Sequence, residues 1–176
     1  MGKVDKFEQQ MAAAAEGASS ASLEIVLAVD IGSSSVRCCP FIISHSEKFI
    51  SPKWRVPISR KAVRFNSLGT ASGAEISGAA TSVVQECIQE LRKSLPNFCI
   101  RAIGFGCFAM SLIGVDASGI AVTPVFTYAD RHPETSSALQ ILKQKLEAAG
   151  ARAEIESRTG APLHSSYAAP QLARLR

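Results

Sequence analysis

The chain has 176 residues and a formal net charge of +4, which is the length of one ordinary domain with a small basic excess. Because 47% of the residues are hydrophobic and only 19% are charged, the composition predicts a packed core and excludes an intrinsically disordered chain. No apolar run approaches the roughly 18 residues of a membrane-spanning helix, and no nucleic-acid-binding motif accompanies the basic residues, so we expect neither a membrane nor a nucleic-acid partner.

The cysteines and the N-terminus indicate a cytoplasmic protein. The five cysteines are odd in number and show no CxxC spacing, which favours free thiols in a reducing compartment. The N-terminus lacks the basic-then-apolar order of a secretory signal. Residues 1–21 contain the run Ala12–Ala15 and then Gly and Ser, a composition that predicts a disordered or frayed helical leader.

Two strands around a short turn follow the leader. Leu23–Asp30 is a β-rich apolar run, Val36–Ile43 is largely apolar again, and Gly32 with three serines separates them. The next stretch, Ser44–Leu68, carries many basic residues around the strand-like Trp54–Ile58. This pattern predicts an exposed hairpin.

A long amphipathic helix is predicted next. Apolar side chains recur with three-then-four spacing from Ile76 to Leu95, which lines one face of a helix. Ser72 and Glu75 have the spacing of a capping box at its start, and Pro96 forbids continuation at its end.

Strands and helices alternate in the second half of the chain. Ile100–Phe105 predicts a strand, and Ser111–Val115 with Ile120–Phe126 predicts a hairpin. Pro133 opens a second helix whose leucines share one side, and Gly150 follows its end. Strands with helices inserted between them predict an α/β domain.

The last segment predicts an unfinished helix. A short helix is expected at Ala153–Arg158, and Pro170 can open another with Leu172 and Leu175 on one side. No Gly, Pro or cap ends that helix before Arg176, so we expect the domain to be incomplete.

The turn between the first two strands is the strongest candidate for a binding site. Backbone N–H groups and hydroxyls in a Gly/Ser turn can ring a phosphate, and Asp30 is placed to hold Mg²⁺ directly or through water. The alternative is a plain hairpin whose small residues only satisfy the turn geometry.

A second candidate is Asp130, within Thr127–His132. It follows an apolar strand and precedes a helix, which is where α/β folds place ligands, so its carboxylate could accept hydrogen bonds from sugar hydroxyls. The alternative is that Asp130 or His132 caps the helix that opens at Pro133.

Several segments, taken in their order along the chain, together resemble the N-terminal domain of FGGY-type carbohydrate kinases. The gluconokinase-like and xylulokinase-like branches are nearest. The resemblance spans residues 22–176. The segments that carry it are Val26–Arg37, Ala102–Phe105, Ser111–Asp116, Thr123–Asp130 and Arg158–His164.

The resemblance implies an actin-like ATPase fold of the ribonuclease-H type, with a mixed sheet flanked by helices. It also implies transfer of the γ-phosphate of ATP to a hydroxyl of a sugar or sugar acid, gluconate- or pentulose-like, with Mg²⁺. The residues implied for the ATP phosphates are Asp30, Gly32, Ser33, Ser34, Ser35 and Arg37, with Asp30 also at the metal. The residues implied for the substrate are Asp130, Met110 and Ser111.

Two departures from the family pattern keep a second reading open. Where related sequences place a His beside an aromatic residue or Met, this chain has Phe108-Ala109-Met110-Ser111, so a thioether replaces a polar sugar contact. The family's catalytic base, later phosphate loop and adenosine pocket match nothing up to Arg176, so no catalytic residue is expected within these residues. The alternative is a non-catalytic remnant or binding module of the same fold.

The family features that match nothing up to Arg176 also lead to an expectation about self-association of the chain. The inward faces of the helices at Ile76–Leu95 and Pro170–Leu175 are expected to lack partner surfaces. Exposed apolar patches favour association, so a homo-oligomer is compatible with this sequence.

Overall fold

A computed structural model describes residues 22–43 and 59–175. The leader, residues 1–21, and the strand-like Trp54–Ile58 lie outside the described residues, so those two expectations stay predictions. The described chain forms a mixed sheet with helices around it and a smaller second sheet, which confirms the predicted α/β class.

The main sheet is mixed in direction. It contains β1 (Leu23–Ile31), β2 (Ser35–Ile42), β3 (Ser59–Ala62) and β5 (Phe98–Cys107), in the spatial order β3-β2-β1-β5. β1 runs antiparallel to β2 and parallel to β5. The two predicted strands around the Gly/Ser turn are confirmed, and the predicted strand at Ile100–Phe105 is longer at both ends.

Helix α1 (Gly73–Ser94) covers one face of this sheet. It begins as predicted, because the Ser72 hydroxyl accepts a hydrogen bond from the Glu75 N–H at 3.2 Å, and Leu95 caps its other end. Its inner side is buried against β1 and β2. The buried apolar core consists of Ile25, Leu27, Val29, Val36, Cys38, Ile42, Val83, Cys87, Leu91 and Leu95.

The expectation that the inner face of α1 lacks a partner surface is therefore wrong. Val83, Cys87 and Leu91 are buried against the sheet, because α1 lies across β1, β2 and β3. The exposed apolar side chains of the sheet lie instead on β5, where Ile103 and Phe105 face solvent.

A second, two-stranded sheet joins β4 (Thr70–Ala71) to β6 (Val125–Phe126). The hairpin predicted for Ser111–Val115 and Ile120–Phe126 is present as a bridge between Val115 and Ala121. The pairing of β6 with β4 had no sequence signal. Gly69 makes this arrangement possible. Its φ is +76°, and a Cβ there would lie 1.9 Å from the carbonyl oxygen of Ala129, so no other residue fits.

The remaining helices are α2 (Pro133–Ala148), α3 (Arg152–Thr159) and α4 (Ala168–Ala173). α2 begins at Pro133 as predicted. α3 corresponds to the short helix predicted at Ala153–Arg158 and is one residue longer at each end. His132 is the N-cap of α2, with its ring nitrogen accepting from the Glu134 N–H at 3.3 Å. No helix within the described ranges is long and apolar enough to cross a membrane.

The prediction for the last helix is wrong in its start. α4 begins at Ala168, two residues before Pro170, and it buries Pro170 and Gln171. Leu172 and Leu175 are exposed, in agreement with the expectation that their side of the helix lacks a partner surface. The Gln171 side chain faces the interior, where its amide nitrogen donates to the Thr127 carbonyl at 3.1 Å, while its Oε1 has no hydrogen-bond partner among the described residues.

An exposed carboxylate joins β3 to α1 and leads to a pH prediction. Glu86 accepts hydrogen bonds from Ser82 and Ser59, and its Oε1 lies 2.6 Å from the Lys61 ammonium nitrogen. The hydrogen bond from Lys61, followed by those from the two serines, lowers the pKa of Glu86 from 4.5 to about 2.

A carboxyl group with a lowered pKa contributes stability above its unfolded value and loses it as the pH falls through its folded value. The melting temperature of wild type should therefore exceed that of Glu86→Gln by a constant amount at neutral pH. The difference should shrink between pH 4.5 and about pH 2. Thermal melts across this range check it, and Lys61→Met should move the loss to higher pH. A difference that does not change with pH would contradict the prediction.

Candidate phosphate and substrate site

Two turns meet at one end of the main sheet. The final parallel pair of β1 and β5 is Ile31 opposite Cys107, and the Phe108 N–H donates to the Ile31 carbonyl at 2.9 Å. The Gly/Ser turn that follows β1 and the turn that follows β5 are therefore neighbours. Ligands of α/β folds bind at this carboxyl end of parallel strands.

The Gly/Ser turn is a tight hairpin in which two serine hydroxyls have no hydrogen-bond partner among the described residues. The Gly32 N–H donates to the Ser35 carbonyl at 2.9 Å, and a Cβ on Gly32 would lie 3.0 Å from that oxygen. Ser35 is buried, and its hydroxyl accepts from Arg37 Nε at 3.1 Å. Within the described part of the chain, the Ser33 and Ser34 hydroxyls have no hydrogen-bond partner. Ser33 and Ser34 are thus available to a ligand, whereas the Ser35 hydroxyl is committed to Arg37.

Asp30 lies beside this turn with its carboxylate open to solvent. Its side chain is 62% exposed, and Oδ2 lies 3.7 Å from Arg37 Nη1 on the adjacent strand. On its other side, Asp30 is opposite Gly106 of β5, where a Cβ would meet nothing within 4 Å. The carboxylate therefore borders open space, with a guanidinium close enough to neutralise a bound anion.

The donor set around Asp30 fits Mg²⁺ better than a metal held by protein ligands alone. Among residues 22–43 and 59–175, no group of three or more His, Cys, Asp or Glu side chains could hold a metal. Mg²⁺ commonly takes only one or two carboxylates, with phosphate oxygens and water completing its shell. The exposed Asp30 carboxylate beside the Gly/Ser turn fits that mode.

The turn after β5 presents Met110 and Ser111. Met110 is exposed and has φ +55°, a left-handed conformation that costs free energy for a non-glycine residue. The Ser111 hydroxyl donates to the Ala109 carbonyl at 3.4 Å. Two of the three predicted substrate residues, Met110 and Ser111, therefore lie on the same turn, close to the Gly/Ser turn.

An aromatic cluster connects this turn to the loop before α2. The ring centroid of Phe65 lies 6.0 Å from that of Phe108 and 6.0 Å from that of Tyr128. Such tilted and edge-on contacts hold the three rings in fixed relation. Phe65 had no sequence signal, because it lies in a stretch whose pattern is dominated by basic residues.

Asp130 lies in a buried network rather than beside the open turns. Its side chain is fully buried, and Oδ1 accepts from the His132 N–H at 2.8 Å. Oδ2 accepts from the Thr135 hydroxyl at 3.1 Å and from Arg174 Nη1 at 3.1 Å. The Arg174 guanidinium also lies 4.2 Å from the ring centroid of Phe126. Protein donors therefore occupy both oxygens of the Asp130 carboxylate.

The structure thus brings together the residues predicted for phosphate with Met110 and Ser111, and it separates Asp130 from solvent. The alternative, that Asp130 or His132 caps the helix, is confirmed for His132, which is the N-cap of α2 and whose N–H donates to Asp130. Sequence reasoning missed Arg174, which lies 44 residues from Asp130 along the chain. No local pattern connects the two.

Comparison with solved structures finds the same fold in kinases of small polyhydroxylated compounds. The gluconate kinase from Lactobacillus acidophilus is 19% identical with a TM-score of 0.65 and covers 88% of this chain. A ligand-bound xylulose kinase from the same organism is 18% identical, with a TM-score of 0.63 over 87% of the chain. The Plasmodium falciparum glycerol kinase with ADP is 16% identical, with a TM-score of 0.68 over 88% of the chain.

No protein-family model and no curated protein sequence matches the chain. The chain spans 28% to 29% of the length of these three kinases. At this level of identity the likeness concerns the fold, and it confirms the expected one, an α/β domain of the actin-like ATPase type with a mixed sheet and flanking helices.

Proposed function

We propose that residues 22–176 are the N-terminal part of an FGGY-type carbohydrate kinase. The reaction is transfer of the γ-phosphate of ATP to a hydroxyl of a sugar or sugar acid, gluconate- or pentulose-like. The observation that carries the proposal is the exposed Asp30 carboxylate beside a tight Gly/Ser turn, at the same sheet end as Met110 and Ser111.

The turn supplies what a phosphate needs. The hydroxyls of Ser33 and Ser34 are free to donate to phosphate oxygens, and Gly32 lets the backbone approach closely because it has no side chain. Arg37 supplies positive charge 3.7 Å from the Asp30 carboxylate. Ser35 acts indirectly, since its buried hydroxyl holds Arg37 in position.

Asp30 is the residue that would hold Mg²⁺ in this reaction. A bound Mg²⁺ neutralises charge on the transferring phosphoryl group. The role of the protein at this turn is to position the phosphates of ATP, since phosphoryl transfer depends mainly on positioning and charge stabilisation.

On the substrate side, Met110 and Ser111 lie on the turn that follows β5, and Asp130 lies in the loop before α2 with its carboxylate buried. Direct contact between Asp130 and sugar hydroxyls requires at least one of its protein donors to be exchanged for substrate.

A non-catalytic remnant of the same fold is the second candidate. Met110 favours it, because a thioether at the sugar-facing turn cannot replace the hydrogen bonds of a His side chain. The Asp130 carboxylate also favours the remnant, because it already accepts hydrogen bonds from Thr135 and Arg174.

Sugar-dependent turnover of ATP tests the proposal. The purified 176-residue chain should show no turnover, because in this proposal it supplies one phosphate turn, and the catalytic base of FGGY-type kinases matches nothing up to Arg176. The proposal also concerns a longer polypeptide, translated from the same transcript when it is read past the codon for Arg176. That polypeptide should phosphorylate gluconate, a pentulose or a related polyol. An open frame that continues and yields a folded protein without kinase activity on any of these compounds would favour the remnant. Turnover by the 176-residue chain itself would contradict the placement of the base outside it.

A further inference from the structure

Two buried cysteines face each other where α1 packs on the main sheet. Cys38 lies in the middle of β2, and Cys87 lies on the inner side of α1. Both belong to the apolar core between the helix and the sheet. Their thiols are hydrogen-bonded to each other. The proposed phosphate and substrate site uses neither sulfur, so this pair of nucleophilic groups has no part in it.

A second contact places α1 over the same point of the sheet. Ser59 of β3 is directly opposite Cys38 in the antiparallel pairing of β2 with β3. The Ser59 hydroxyl donates a hydrogen bond to the carboxylate of Glu86, the residue before Cys87 on α1. The helix therefore crosses β2 and β3 at the Cys38–Ser59 pair, and this crossing brings Cys87 over Cys38.

The other three cysteines lie apart from this pair. Successive side chains of a strand point to opposite faces, so Cys39 faces the side of the sheet away from α1. Its Sγ lies 3.8 Å from the carbonyl oxygen of Pro40. Cys99 and Cys107 lie on β5, which is separated from β2 by β1. The fold thus selects one pair of thiols from five.

The two thiols of the pair differ in acidity. The hydrogen bond with Cys87, followed by burial, raises the pKa of Cys38. The same hydrogen bond lowers the pKa of Cys87. Cys38 is therefore the donor and Cys87 the acceptor. Since the thiolate is the nucleophilic form of cysteine, Cys87 is the sulfur that reacts first.

We propose that Cys38 and Cys87 respond to hydroperoxides by closing a disulfide bond between β2 and α1. In the first step the Cys87 sulfur attacks an oxygen of the hydroperoxide, the O–O bond breaks, and Cys87 becomes a sulfenic acid. In the second step the Cys38 sulfur attacks the Cys87 sulfur and the S–O bond breaks. The two thiols lose two electrons and two protons, and the hydroperoxide leaves as one alcohol, or water, and one water.

The expected consequence is a more stable protein in the oxidised state. The bond closes residues 38–87 into one long loop, and a disulfide stabilises by restricting the unfolded chain, more so for longer loops. A reducing compartment keeps both residues as thiols until a hydroperoxide reaches them. This inference goes beyond the proposed function and does not depend on it, because neither ATP nor sugar takes part.

Oxidation of the folded 176-residue chain by hydrogen peroxide tests the pair. A variant that carries Cys39→Ser, Cys99→Ser and Cys107→Ser excludes other pairings. Peptide mapping by mass spectrometry, after alkylation in denaturant, should find Cys38 and Cys87 joined within one chain. Dithiothreitol should restore both thiols. The melting temperature should rise by roughly 5 °C or more on oxidation and return on reduction.

A variant that moves one thiol by a helical turn is the matched control. Val83 lies on the same buried side of α1, four residues before Cys87. In the same background, Val83→Cys with Cys87→Ala keeps two buried thiols but moves one by about 6 Å along the helix. Its disulfide should form at least tenfold more slowly. Each variant is compared with itself before and after oxidation, so any loss of stability caused by the substitutions cancels.

Several results would overturn the proposal. These are free thiols at both positions under peroxide that oxidises the exposed Cys107 of wild type, sulfinic acid at Cys87 without a bond to Cys38, and equal disulfide formation in the Val83→Cys control. An oxidised chain that melts no higher than the reduced chain would also overturn it. So would a disulfide that forms only in denaturant, because the folded chain would then not hold the two sulfurs together.

Discussion

Arg174→Met should lower the free energy of unfolding by about 3–5 kcal/mol. The side chains of Arg174 and Asp130 are 7% and 0% exposed, with Nη1 and Oδ2 3.1 Å apart. Removing the guanidinium leaves a carboxylate in the interior with only the Thr135 hydroxyl and the His132 N–H as donors. Denaturant unfolding followed by circular dichroism measures the loss.

The control for this prediction is an ion pair of the same type at the surface. Arg158 lies 3.4 Å from Glu154 with a side chain that is 79% exposed. Arg158→Met should cost no more than about 1 kcal/mol, because water screens exposed pairs. A double variant, Asp130→Leu with Arg174→Met, should recover part of the stability lost by Arg174→Met alone. Equal losses from Arg174→Met and Arg158→Met would contradict the buried network.

The same network separates two roles of Asp130. If Asp130 binds sugar hydroxyls, Asp130→Ala should weaken sugar binding by an active kinase roughly ten- to a hundredfold, the equivalent of about 1.5–3 kcal/mol. Arg174→Met should then weaken it much less at equal loss of stability. Unchanged sugar affinity in Asp130→Ala, with only a lower melting temperature, would assign the residue to the fold alone.

Asp30→Asn should lower kcat by a factor of about a hundred or more in the active kinase that we propose, with little change in sugar affinity. The exposed carboxylate is the one group at the Gly/Ser turn suited to Mg²⁺, and charge stabilisation on the transferring phosphoryl group acts mainly in the transition state. Steady-state kinetics with saturating sugar and ATP give kcat, and calorimetry gives the sugar affinity.

Asp116→Asn is the isosteric control for Asp30→Asn. Asp116 is also exposed in a turn, but its Oδ1 accepts from the Ser118 and Ile120 N–H groups, away from the Gly/Ser turn. An amide oxygen can keep those hydrogen bonds, so kcat should stay near the wild-type value. Wild-type kcat in Asp30→Asn would refute the phosphate assignment, and the Gly/Ser turn would then be a plain hairpin.

The local elements of this protein were determined by its sequence. The three-then-four spacing of apolar residues predicted α1, and Ser72 with Glu75 marked its start, because helix periodicity and capping depend only on residues a few positions apart. The Gly/Ser turn between β1 and β2 and the opening of α2 at Pro133 were predictable for the same reason. These features place Asp30 and the turn serines correctly at the end of a strand.

Contacts between distant residues were decided only by the tertiary structure. The pairing of β4 with β6 and the ion pair of Asp130 with Arg174 join positions far apart along the chain. The last helix shows the consequence, since the leucine pattern predicted that Leu172 and Leu175 share one side, whereas nothing local predicted the burial of Gln171. The Gln171 amide nitrogen finds its partner 44 residues away along the chain, and local spacing carries no information about where such a partner lies.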